Sequence, residues 1–532
     1  MNTILIINLV IAVVFSACYA YQLFFLAVPF AKKQEPHKPE VLHRFAVLIC
    51  ARNEEEVIPD LIHSIQGQTY DQSLITIFVM ADNCTDATAE VARQAGAVVY
   101  TRFNKEKVGK GYALERLIEH IEEDYPQTFD GFFVFDADNV LDCHFIEEMN
   151  RTYCDGYEVI TSYRNSKNYG DNWISAGYAL WFIRESRYLN NSRMLLGTSC
   201  AVSGTGFFFS RKVMESIHGW KFHLLTEDIE FSVDQIIKGQ KIGFCAGAVL
   251  YDEQPVTFRQ SWRQRLRWAR GFLQVFMKYG FGLLKGIGKG HFSCYDMSMT
   301  VMPAYVLTVS LIVAYLVTGL TGAGTVLPMV HYVLQMVAGL YATLYVVGLF
   351  TTITEWKNIH TTPAKKVLYT FTFPIFMLTY IPISLVALFS RRCSGSPSST
   401  TAPTSGSWRP PQPAATSNSG STDDRPRWFP GGGGLHEFAF ERRIPMDVTG
   451  KHYTWFQNKE CEYFPCHKGV REEEFNCLFC YCPLYRMPDC RGGFVMRGGI
   501  KDCSYCLLPH NGLESYPYIL AKLREENQKG EK

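Results

Sequence analysis

Phe132-Phe133-Val134-Phe135-Asp136-Ala137-Asp138 is an apolar run that stops in two carboxylates one residue apart. Such a run reads as a buried strand, and alternate strand residues share a face, so Asp136 and Asp138 leave its end on the same side. Two earlier runs are built the same way. Phe45–Cys50 ends in Ala51-Arg52-Asn53-Glu54, and Ile75–Met80 runs into Asp82-Asn83-Cys84-Thr85-Asp86. Between Arg44 and about Ala248 these runs alternate with helical periodicities, the pattern of an α/β domain with a mostly parallel sheet. Ligands bind beyond the carboxyl ends of the strands in such sheets. One polar strand end is ordinary helix capping. Three in succession mark a ligand edge.

Paired carboxylates repel unless a cation lies between them, and Mg²⁺ or Mn²⁺ could bridge Asp136 and Asp138 to a diphosphate. Lys110, in Lys107-Val-Gly-Lys110-Gly, opens an amphipathic helix, where a cation is misplaced unless an anion is near. It reads either as a nucleotide contact or as a solvated surface lysine. Thr226-Glu227-Asp228 precedes a helix starting near Ile229. As simple capping it has no function. As chemistry, Asp228 is a base that takes a proton from an attacking hydroxyl. In Trp262-Arg-Gln264-Arg-Leu266-Arg267-Trp268, the residues Gln264, Arg267 and Trp268 share one helical face. Together they offer a charge for a diphosphate and a flat apolar surface for a sugar ring. Trp262, Leu266, Ala269, Leu273 and Phe276 form a second stripe, suited to a membrane interface.

The region from Arg44 to Gly271 resembles the membrane-embedded family-2 glycosyltransferases, which include cellulose, hyaluronan and poly-N-acetylglucosamine synthases. The residues that carry the likeness are Asn53-Glu54, Asp82, Asp136-x-Asp138, Thr226-Glu227-Asp228 and Gln264-x-x-Arg267-Trp268. The resemblance implies a Rossmann-like GT-A fold and inverting transfer from a UDP-sugar of the glucose or N-acetylglucosamine type to a glycan or lipid-linked acceptor. It implies that Asn53, Glu54, Asp82 and Asp136 serve the nucleotide and diphosphate, and that Asp138 holds the metal. By the same likeness Glu227 and Asp228 are the catalytic pair, and Gln264, Arg267 and Trp268 hold donor and acceptor. A different reading of the same residues is a non-catalytic, nucleotide-binding membrane scaffold with a zinc-dependent recruitment tail.

The rest of the chain sets the compartment. At 532 residues it exceeds one core, and two to four units are expected. The net charge of +1 points to no polyanionic partner and no nucleic acid. Charge is nonetheless segregated: residues 297–354 contain no Asp, Glu, Lys or Arg, whereas residues 259–270 contain five Arg. Residues 4–30 are apolar and long enough for a transmembrane helix, and Ala31-Lys32-Lys33 behind them places residues 31–290 in the cytoplasm. The expected order is an anchor at 4–30, a catalytic domain at 44–255, an interfacial region at 256–290 and three transmembrane helices within 297–390, with Pro374 and Pro382 kinking the last. That is a multi-pass protein of the plasma (inner) membrane.

Residues 393–434, rich in Ser, Thr, Pro and Gly, read as a linker. Beyond them, within 445–525, stand Cys461, Cys466, His467, Cys477, Cys480, Cys482, Cys490, Cys503, Cys506 and His510. Two Cys-x-x-Cys pairs with further Cys and His read as zinc ligation. This tail resembles a small cysteine-rich domain of microbial proteins sometimes linked with cobalamin metabolism. Three spans would export the tail, whereas zinc thiolates suit a reducing compartment. The abrupt change of composition also leaves a chimeric gene open.

Overall fold

The structure is a computed structural model that describes residues 3–302, 326–389, 484, 495–497, 500–502 and 519. It divides into two units, Met1–Ala415 and Thr416–Lys532. In the second, the described secondary structure is one antiparallel hairpin, Val495–Arg497 with Ile500–Asp502. The linker at 393–434 and all ten expected zinc ligands lie outside the described residues.

The first unit is built on eight strands: β1 (Phe45–Ala51), β2 (Ile75–Asp82), β3 (Val98–Arg102), β4 (Gly131–Asp136), β5 (Val140–Leu141), β6 (Val159–Ser166), β7 (Phe207–Ser210) and β8 (Ile242–Asp252). They form one sheet in the order β3-β2-β1-β4-β7-β6-β8-β5. β1 pairs in parallel with β2 and β4, β2 with β3, and β6 with β8. β7 runs antiparallel to both neighbours and β5 antiparallel to β8. The sheet is therefore mixed, and its purely parallel part is the first four strands, whose ends carry the polar residues expected from the sequence to form a ligand edge.

Both faces are covered, which is why these strands read as unbroken apolar runs. Phe45, Val47 and Ile49 of β1 face α2 (Ile58–Gln66), α3 (Thr88–Gln94) and α5 (Phe145–Cys154). Ala46 and Leu48, one residue out of phase, face α4 (Lys110–Asp124), α6 (Trp173–Arg184) and α9 (Glu227–Ile237). Two short helices, α7 (Asn191–Leu196) and α8 (Arg211–Ser216), complete this layer. Between α6 and α7 the chain winds as a π-helical turn over Glu185–Asn190.

The apolar regions are helical where described. α1 (Thr3–Ala31) precedes the sheet, and α10 (Phe258–Gly288), α11 (Phe292–Val301), α12 (Val326–Thr354), α13 (Pro363–Leu378) and α14 (Tyr380–Phe389) come after it. Among the described residues, Val337–Thr354 and Pro363–Phe389 are long and apolar enough to cross a bilayer. Residues 303–325, within the expected first span, are not described. The last apolar segment breaks at Thr379, between α13 and α14. Pro382 explains the place of the break, because it has no N–H to give the carbonyl four residues earlier, at Leu378. The stripe of Trp262, Leu266, Ala269 and Leu273 on α10 packs against Ile383, Ala387 and Leu388. The apolar face that α10 leaves open lies further along, at Met277, Phe281 and Leu284.

Candidate active site

Each parallel strand delivers its polar end to one edge of the sheet. After β1, Asn53 takes a left-handed φ of 57°, which Asn tolerates better than most residues. Its Oδ1 accepts from the Thr85 N–H at 2.8 Å, tying the β1 loop to the β2 loop. The Glu54 N–H donates to Thr88 Oγ1 at 2.9 Å. At the end of β2, buried Asp82 holds Arg102 through Oδ1 at 2.5 Å and accepts on the same oxygen from Asn83 at 3.1 Å.

Lys110 is the first residue of α4, preceded by Gly109 at a φ of 139°. It is no solvated lysine. Its Nζ donates to Asp136 Oδ1 at 2.5 Å and to the Gly204 carbonyl at 2.8 Å. Burial pulls its pKa down, but the Asp136 and Glu227 carboxylates outweigh that, and the net shift is upward. The Asp136 N–H donates to Thr205 Oγ1 at 2.8 Å. Asp138 is half-buried, and burial followed by the charges of Asp252 and Asp136 holds its carboxyl well above the usual range.

Sequence reading missed the network behind this pair. Fully buried Asn139 donates through Nδ2 to Asp252 Oδ1 at 3.1 Å and to Asp138 Oδ1 at 3.3 Å, while its Oδ1 accepts from the Thr205 hydroxyl. Asp252 ends β8 and is gripped by Arg164 of β6, with Nε at 2.9 Å. Arg164 also donates to the Ser203 carbonyl at 3.1 Å and lies 3.8 Å over the Phe182 ring. The available signal was the run Ile242–Asp252, a further apolar strand that ends in a carboxylate.

Glu227 and Asp228 open α9. The Thr226 side chain caps nothing, and its buried hydroxyl has no partner. Burial and the Asp228 charge push Glu227 up to about 7, against the pull of Lys110 and Arg267. Burial also raises Asp228, opposed by the Ile229 N–H, Lys110 and Arg267. Gly204 stands between the two acidic groups. Its carbonyl receives Lys110, and a Cβ placed on it would lie 3.8 Å from Asp228 Oδ2.

The α10 strip meets this corner from the other side. Arg267 is exposed, but its charge reaches Glu227 and Asp228. Buried Gln264 Oε1 has no partner. Trp268 stands edge-on to Tyr178 at 5.8 Å and to Phe182 at 6.2 Å. Arg265, which the sequence reading passed over, is fully buried. Its Nη1 donates to the Phe376 carbonyl at 3.1 Å and to Thr379 Oγ1 at 2.7 Å, so it binds the end of α13 at the helix break.

Among the described residues, no group of three or more His, Cys, Asp or Glu side chains is arranged to hold an ion alone. Asp136 and Asp138 nevertheless fit Mg²⁺ or Mn²⁺. They are hard oxygen donors, and Asp138 is crowded by negative charge that a cation relieves. Such an ion takes its remaining ligands from phosphate and water.

Residues 43–271 match the family model described as glycosyltransferase like family 2, and residues 452–532 match one described as a cysteine-rich small domain. The chain is 25% identical over 353 residues to a β-monoglucosyldiacylglycerol synthase of Nostoc sp., covering 64% of this chain and 71% of that protein. It is 23% identical over 255 residues to a poly-β-1,6-N-acetyl-D-glucosamine synthase of Staphylococcus aureus, covering 47% and 60%. Among solved structures, a mannosyltransferase of Pyrobaculum calidifontis in complex with GDP-Man and Mn²⁺ aligns over 72% of this chain and 99% of its own, with TM-score 0.46 and 15% identity.

Proposed function

We propose, from the premise that this chain carries a family-2 glycosyltransferase domain of the α/β GT-A type, that it moves glucose or N-acetylglucosamine from a UDP-sugar to a glycan or lipid acceptor with inversion. The observation that carries the reading is the position of Gly204. One side of it receives Lys110, which holds Asp136. The other faces Asp228 Oδ2. A donor diphosphate at the strand ends and a base on α9 would therefore flank one sugar carbon, as displacement with inversion requires.

The residues divide the work. Asp82 is held by Arg102 through Oδ1, and its Oδ2, which has no bond among the described residues, is left for the nucleotide. Asn53 and Glu54 shape the loop beside it. Lys110, itself clamped, aligns Asp136 toward the diphosphate. Asp136 and Asp138 would hold Mg²⁺ or Mn²⁺, which when bound offsets the charge of the departing UDP. Asp228 takes the acceptor's proton. Its raised pKa makes it a stronger base than a surface carboxylate, and Glu227 sets the local charge. Gln264, Arg267 and Trp268 would border the site, and the Gln264 Oε1 is buried without a partner among the described residues.

We place the reaction at a bilayer, with the catalytic domain cytoplasmic and α1 and the apolar helices after α11 spanning the plasma (inner) membrane. Two apolar helices of sufficient length support this. The Nostoc relative's name supports a lipid acceptor and the Staphylococcus relative's name a glycan acceptor. The cysteine-rich tail would carry structural zinc, a reading supported by its composition and the match at 452–532. The test is UDP release from membranes containing the full chain, with UDP-glucose and UDP-N-acetylglucosamine, with and without Mn²⁺. The reading expects metal-dependent release from one of them.

A further inference from the structure

We infer that Glu185 is an acceptor-binding residue that selects a polyol acceptor, by accepting a hydrogen bond from a hydroxyl neighbouring the one that Asp228 deprotonates. The inference rests on the proposed glycosyltransferase activity.

Glu185 is the residue at which the α6 helix passes into the π-helical turn. Inserted turns of this kind are rare and concentrate at functional sites, because they push one side chain out of helical register. Here the side chain is half-buried, and it borders a cavity of about 10 Å³ with Arg164, Phe182, Ser203 and Thr205. Ser203 and Thr205 flank Gly204 in the chain. Arg164 Nη1 and Asp228 Oδ2 both lie within 4 Å of one point, the Cβ position of Gly204. Glu185 thus belongs to the corner where the base stands.

Its carboxylate has no hydrogen bond or ion pair among the described residues, although three guanidinium groups are near. Arg193 is committed to Asp296, at 2.7 and 2.9 Å. Arg164 is committed to Asp252 and Ser203, and Arg184 donates to Gln22 at 3.1 Å. The same cavity is lined by Ser162, whose Oγ is buried without a partner. A half-buried carboxylate and an orphaned hydroxyl bordering one small cavity leave capacity for a single ligand hydroxyl, since buried polar atoms are rarely left unmatched. Burial raises the Glu185 pKa, while Arg193, Arg164 and Arg184 oppose that and Asp228 adds to it. These charges steady the carboxylate without occupying it. A carboxylate accepts more strongly than a neutral oxygen, so it favours an acceptor with a second hydroxyl beside the first.

The experiment uses the full chain in detergent with Mn²⁺, radiolabelled UDP-glucose and UDP-N-acetylglucosamine, and two acceptors: octyl β-glucoside, which carries neighbouring hydroxyls, and diacylglycerol, which carries one. The inference expects transfer to octyl glucoside, and a KM for it raised at least tenfold in Glu185→Gln and further in Glu185→Ala. Donor KM and metal-dependent donor hydrolysis should stay within twofold. A wild type that uses diacylglycerol but not octyl glucoside overturns this inference and leaves the glycosyltransferase reading standing. So does a variant in which donor KM rises and thermal stability falls together with the loss of transfer, because Glu185 would then be only a counter-charge to its arginines. Absence of UDP release with either donor overturns both.

Discussion

Gly271 of α10 lies directly against Thr226, so that a side-chain carbon at position 271 would stand 2.5 Å from both Thr226 Cγ2 and Oγ1. The helix that carries Gln264, Arg267 and Trp268 is thereby seated on the residue before Glu227 and Asp228, with no room between. Gly271→Ala should push α9 away from Gly204, lowering sugar transfer at least tenfold. It should also destabilise the fold by about 1–3 kcal/mol, the usual cost of overpacking. Pairing it with Thr226→Ala should restore part of both losses. Steady-state UDP release and thermal unfolding of the three variants check this.

Removal of the Lys110 ammonium leaves Asp136 without its cation and Gly204 without its donor. Lys110→Met should raise the KM for the UDP-sugar and lower turnover by about a hundredfold, the scale of losing one charged stabiliser. Lys110→Arg should recover little, because the short contact fits a point charge rather than a planar fork. Donor titration with each variant is the measurement.

The strand ends were legible for a local reason. Phe45–Cys50, Ile75–Met80 and Phe132–Phe135 are buried on both faces, so each apolar run announces a strand and the first polar residue after it announces the edge. Arg164 was not legible. It sits inside β6, and its partner Asp252 is 88 residues away, so only the β6–β8 pairing brings them together. Lys110 remained ambiguous for the same reason, since its two partners come from β4 and from the loop before β7. The α10 stripe shows a third case. Its spacing correctly marked an apolar face, yet spacing cannot distinguish lipid from another helix, and α14 covers part of it.

Glu227 gives a pH signature of definite sign. Burial and Asp228 raise its pKa from its ordinary 4.5 to about 7. The folded chain therefore holds more protons than the unfolded chain between these values, and this contribution to stability is present below about pH 4.5 and lost as pH rises to 7. Activity should move the opposite way, rising over a limb displaced above the usual carboxylate range, because the proposed base Asp228 would have to be ionised and its pKa is also raised. The apparent values belong to the pair. Glu227→Gln should flatten the stability slope and leave the activity limb in place, because Glu227 is neutral while Asp228 ionises. Thermal unfolding and kcat/KM from pH 4.5 to 8 test both.

The Arg164–Asp252 pair holds Asn139, and through it Asp138. Asp252→Asn should leave Asp138 misplaced, so that the Mn²⁺ concentration for half-maximal UDP release rises about tenfold or more, on the order seen when residues behind a metal ligand are altered. Unchanged metal dependence would remove the network from the site.

The account turns on Asp228 as the group that receives the acceptor's proton. Its most direct measurement is UDP release by the full chain with Mn²⁺ and radiolabelled UDP-glucose or UDP-N-acetylglucosamine, for the wild type and for Asp228→Asn. The account predicts metal-dependent release that falls by about a hundredfold or more in the variant, while binding of UDP is retained. Equal release by both proteins, or retained binding with no release from either, would contradict it.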